Sequence, residues 1–130
     1  MATNQNKNPL EELLLDENQN LDLSRLAQVL KPFTRIDKSS HAIQFLQPFY
    51  EQKNENKILI LLATSKARKE LLGDEEKMSQ SDIISLEIMP EGSVKATLKK
   101  LYDGKNIKAE KSKYYLPNYQ IDALLTQLNK

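Results

Sequence analysis

The chain has no cysteine. That removes disulfides, thiolate metal ligands and a cysteine nucleophile together. It has a single histidine, His41, so neither a histidine-based metal cage nor a histidine pair can be assembled. Long apolar runs are missing too. The longest, residues 58–63, falls far below the roughly 20 residues needed to span a bilayer. No glycine-rich turn follows that run, so the phosphate-cradling loop of a nucleotide-binding βα unit is absent. Residues 1–8, MATNQNKN, carry no hydrophobic segment of the secretory kind. Acidic and tyrosine side chains are scattered and do not converge in any motif. The expectation is a soluble, cytoplasmic, non-enzymatic protein with no cofactor, no metal and no membrane partner.

At 130 residues the chain is long enough to bury a core as one domain. Its net charge of +1 hides a strong polarity along the sequence. Residues 1–30 carry Lys7 and Arg25 against Glu11, Glu12, Asp16, Glu17 and Asp22. Residues 92–113 carry Lys95, Lys99, Lys100, Lys105, Lys108, Lys111 and Lys113 against Asp103 and Glu110. A basic patch on a neutral protein is what a polyanion meets.

Residues 1–8 are polar and predict a disordered tail, with one domain over 9–130. Asn8 as cap, Pro9 at the first position and Leu10, Leu13 and Leu14 on one face predict a helix over 9–16, broken at 18–20. Asp22 starts a second helix through Leu23, Leu26, Ala27 and Leu30 that ends near Lys31, before Pro32. Alternation in residues 34–36 and 41–45 around a turn at 37–40 predicts a small hairpin. Pro48 and the pair Phe49 and Tyr50 would pack it on the core. Residues 57–72 read as a strand then a helix, or as one long helix. Good helix formers after the apolar run and Gly73 as C-cap favour one helix. Asp74, Glu75 and Glu76 read as a solvated loop, since the glycine and ligand spacing of a calcium loop are missing.

The segment over residues 79–118 carries the most information. Ser79 or Ser81 caps a short helix with Asp82 in its first turn. Residues 89–92 make a turn. Residues 93–103 form a helix with Val94, Leu98, Leu101 and Tyr102 on the apolar side, stopped by Gly104. Residues 107–111 and 114–116 form strands joined by Ser112 and Lys113. A last helix over 119–128 follows through Ile121, Leu124, Leu125 and Leu128. Strand alternation places at least Tyr115 in the core. His41 reads as structural or exposed.

This order, with the spacing Val94, Leu98, Leu101, Ile107, resembles the winged helix-turn-helix superfamily of DNA-binding domains over about residues 57–116. The resemblance implies an α+β, mostly helical chain: helices and a hairpin over 9–56, a winged helix over 57–118 and a C-terminal helix over 119–130. It implies that 93–103 is the recognition helix and 107–116 the wing. Ile84 and Ile88 stand where the motif has a small residue and a glycine. With Val94, Leu98 and Leu101 inward, Ser93, Lys95, Ala96 and Lys99 face out and Lys100 lies at the flank. Together with Lys108, Lys111 and Lys113 of the wing they are the candidate contacts to double-stranded DNA. Lysines suit phosphate better than bidentate base reading, so modest sequence specificity is expected, as of a small transcription regulator. The alternative is a protein-interaction or dimerisation module without DNA. A homodimer through the N-terminal helices or the last helix is the second partner expected.

Overall fold

A computed structural model describes residues 8–14 and 20–129. The chain is α+β, mostly helical, with two small antiparallel sheets. Apart from Asn8, the expected disordered tail falls outside the described residues, as do Asp16 and most of the break at 18–20. Asn8 accepts a hydrogen bond from the Leu10 amide at 2.9 Å and Pro9 opens the turn, as the residues predict. The product is nevertheless a five-residue 3-10 helix, Pro9–Leu13, with Leu14 already extended. Leu10, Leu13 and Leu14 are 66%, 80% and 78% exposed, so no packed face is available to lengthen it.

Helix α1, Leu23–Leu30, is capped by the Asp22 carboxylate, which accepts from the Arg25 amide at 3.0 Å. Strands β1, Thr34–Ile36, and β2, Ile43–Phe45, form the expected hairpin. His41 is left-handed (φ 66), so β2 starts two residues later than the alternation predicts. One turn of helix, α2 (Gln47–Tyr50), stacks Phe49 on Phe45 with ring centroids 4.4 Å apart and seats the hairpin on the core.

Helix α3, Asn54–Leu72, absorbs the whole apolar run, beginning three residues before the predicted start. Every side chain from 58 to 66 is buried, because α1, α5, α6 and the second sheet cover the helix on all sides. That central position explains an apolar run without a polar stripe. Gly73 ends it in the left-handed conformation (φ 79), donating to the Lys69 carbonyl. The solvated-loop expectation for residues 74–76 fails at Glu76. Its side chain is 13% exposed and pairs with the buried ammonium of Lys66. Lys66 sits on the covered part of α3, and its charge needs a carboxylate there.

Strand β3, Met78–Ser79, leads into α4, Gln80–Ser85. Ser79 is the cap, in a reciprocal box with Asp82. After a turn with Glu87 left-handed (φ 56), α5 runs Glu91–Asp103. It starts two residues earlier than predicted, because the Pro90 carbonyl already accepts from Ser93 and Val94. Val94, Thr97, Leu98 and Leu101 form its buried stripe, whereas Tyr102, expected inward, is 51% exposed. The eighth residue beyond Val94 has rotated about 80° past it at 3.6 residues per turn. Gly104 closes the helix. Its own φ is ordinary, but a Cβ there would lie 2.9 Å from Asn106 Oδ1.

Strands β4, Lys108–Glu110, and β5, Lys113–Tyr115, complete a sheet of order β3-β5-β4. Their turn is Lys111 and Ser112, both left-handed (φ 54 and 65), one residue earlier than predicted. The shift reverses the tyrosines. Tyr114 shares a face with buried Met78 and packs on the core, while Tyr115, predicted inward, faces away from it. Helix α6, Gln120–Leu128, packs Ile121 and Leu124 against α1 and α3. No helix among the described residues is long and apolar enough to cross a membrane.

Candidate nucleic-acid interface

The buried stripe of α5 leaves Lys95, Ala96 and Lys99 on its solvent side and Ser93 half-buried at its start. Tyr102 continues that exposed side and meets Tyr114 of β5 edge-on, centroids 6.4 Å apart. The exposed face of α5 therefore abuts the sheet that carries the hairpin. Lys111 stands at the hairpin tip, exposed.

The remaining candidates are divided from this face. Lys100 turns to the flank and bonds the Glu55 carboxylate at the start of α3. Lys108 and Lys113 lie, by strand alternation, on the sheet face shared with Tyr115, opposite to Tyr114. Lys77, which the sequence reading did not single out, joins them there. Its ammonium bonds Glu110 and lies 5.6 Å from the Tyr115 ring centroid. Lys108 lies 5.9 Å from the Tyr119 ring centroid. Thus Lys95, Ala96 and Lys99 share the exposed side of α5, Lys77, Lys108 and Lys113 share one face of the sheet, and Lys111 stands apart at the hairpin tip.

The charges are partly offset. Lys95 pairs with Glu91 and Lys99 with Asp103, each at 3.1 Å and four residues apart on the helix. That spacing was readable in the sequence. The Lys77 and Glu55 partnerships span different elements and were not. The Lys100 ammonium, through its hydrogen bond, holds Glu55 below the usual carboxylate range. Lys77 does the same to Glu110 and is itself raised by that carboxylate. Lys111 and Lys113 make no salt bridge among the described residues.

His41 acquires the partner that the sequence did not identify. Its Nδ1 lies 2.9 Å from Asp74 Oδ2, and its carbonyl accepts from Arg68 Nη1 at 2.9 Å. The trio ties the first hairpin to the end of α3. Among the described residues no group of three His, Asp or Glu is placed to hold a metal ion. No family model, no curated protein and no solved structure matches this chain.

Proposed function

We propose that residues 54–116 form a winged helix that binds duplex DNA through phosphate contacts and catalyses nothing. The observation that carries this reading is the order α3, β3, α4, α5 and then the β4–β5 hairpin, with β5 paired to β3 so that the hairpin lies beside the helix pair. A helix fits the major groove, and a following hairpin reaches the flanking backbone. Glu87 supports the reading from the turn. It holds the left-handed residue one position before Ile88, where the resemblance expects glycine. That conformation costs a non-glycine residue about 1 kcal/mol, which the capping box and the burial of Ile83 and Ile88 readily exceed.

Lys95, Lys99 and Lys111 are the phosphate contacts in this reading. Their acidic partners do not prevent it. An exposed pair four residues apart on a helix is worth about 0.3–0.5 kcal/mol, so a phosphate displaces Glu91 or Asp103 at small cost. α5 contains no Arg, Asn or Gln, hence base reading is weak. Three phosphate contacts give a log–log salt slope of roughly −3. Titration of a labelled duplex at low and moderate salt tests this. Binding should be lost in the triple variant Lys95→Glu, Lys99→Glu, Lys111→Glu and little changed in Lys100→Ala. Absence of binding by the intact protein at low salt would remove the DNA reading.

The second reading is an interaction module without DNA. It is favoured by the offset charges of α5 and by an apolar groove on the far side of α3, lined by α1 and β1.

A further inference from the structure

Two unmatched apolar features lie in the N-terminal part of the chain. The first is a groove of about 560 Å³ between α1, β1 and the C-terminal half of α3. Its floor and walls include Leu26, Ala27, Leu30, Ile36 and Ala67. Leu23 and Leu71 stand on its edges 59% and 72% exposed, an arrangement that leaves large apolar surface in water. The second is the leucine triplet Leu10, Leu13 and Leu14, exposed on the 3-10 turn and just beyond it. Leu10 and Leu13, three residues apart, lie above one another on the 3-10 turn, and Leu14 follows directly in the extended chain.

The two features also match in charge. The triplet is interleaved with Glu11 and Glu12. The groove is rimmed by Lys31 and Arg35, with Glu70 the one acid among its lining residues. Arg35 is preset: its Nη1 donates to the carbonyls of Lys31 and Thr34 at 2.6 and 2.8 Å, which holds the guanidinium at the rim.

We propose that this groove receives residues 10–14 of a second copy of the chain, so that two copies exchange their N-terminal segments reciprocally. No residue of the chain's own 9–14 lines its groove, and its own leucines remain in solvent. Each copy carries one segment and one groove. A two-fold axis therefore satisfies both at once and closes the assembly at a dimer. Leu13 and Leu14 enter between Leu23 and Leu71, and Glu11 meets Lys31 and Arg35. This docking uses none of the residues assigned to DNA contact, so it stands or falls separately from that reading.

The absence of cysteine makes the test clean. A Leu13→Cys chain is mixed with a size-tagged Leu71→Cys chain under mild oxidation. The expected product is a mixed disulfide dimer, well above the amount in a Leu13→Cys with Ser112→Cys control mixture. Sedimentation without DNA should show a wild-type dimer. In the double variant Leu13→Glu, Leu14→Glu the dissociation constant should rise roughly 10,000-fold, as expected when the two copies together lose four buried leucines. Leu71→Glu should act in the same direction from the groove side. All these positions are exposed, so far-UV circular dichroism should be unchanged. Three results would overturn the proposal: a wild-type monomer up to the highest soluble concentration, a dimer indifferent to both sets of variants, or a Leu13–Leu71 cross-link that forms within one doubly substituted chain and not between chains.

Discussion

Lys66 and Glu76 illustrate how much of this chain depends on single side chains that meet across elements. Their side chains are 6% and 13% exposed, and Lys69 adds a more distant contact at 3.9 Å. Removing one member strands the other charge away from water. Glu76→Gln should therefore destabilise the fold by about 3–5 kcal/mol in urea denaturation. The double variant Lys66→Met, Glu76→Leu should recover most of that loss, because the desolvation cost then disappears from both sides. Glu55 gives a pH-dependent counterpart. Lys100 depresses its folded pKa, so its contribution is present above the unfolded value and is lost as pH falls through the folded one. Glu55→Gln should lower the thermal midpoint at pH 7, and the difference from wild type should shrink progressively as pH falls below an unfolded glutamate pKa of roughly 4.3. A difference that stayed constant across that acid range would assign the effect to packing instead. Neither pair was legible in the sequence. Ten residues separate Lys66 from Glu76 and forty-five separate Glu55 from Lys100, and only chain path brings them together.

Among the elements, those governed by local chemistry were legible and those governed by register were not. Asp22, Ser79 and Gly73 act as the caps that their residue types predict. Each answers a need of its own helix end, and that need is visible within four residues. The β4–β5 turn was misread by one position. A two-residue hairpin turn with both central residues left-handed favours glycine or asparagine, and here Lys111 and Ser112 take that role instead. The sequence thus carried no signal for which pair would bend, and the one-residue shift moved Tyr114 inward and Tyr115 outward. Ser112→Gly relieves the left-handed cost at φ 65 and should stabilise the protein by roughly 0.5–1 kcal/mol. A higher urea midpoint at unchanged slope checks this. In the DNA reading, affinity should stay the same, since Lys111 remains at the tip.

For the molecule as a whole, α3 is the hub on which α1, α5, α6 and the second sheet pack. Leu61 is fully buried within it, so Leu61→Ala should cost about 2–5 kcal/mol, read as a single cooperative urea transition. The amides of residues 58–66 should exchange only with global unfolding. The central position of α3 also explains why residues 58–63 were ambiguous. A helix covered on every side loses the 3.6-residue polar stripe by which helices are recognised, and helix length had to arbitrate. Sequence alone determined the caps at Asp22, Ser79 and Gly73, the presence of the first hairpin and the Val94, Leu98 and Leu101 spacing of α5, because caps, turns and amphipathic period are local properties of the chain. It also determined the concentration of lysines between residues 92 and 113. Only the tertiary structure decided which lysines share a face. Lys95 and Lys99 face solvent on α5, Lys108 and Lys113 share one face of the sheet, and Lys100 is drawn to Glu55. Faces follow from register and from the packing of distant segments, and a one-residue shift reverses them while composition stays the same.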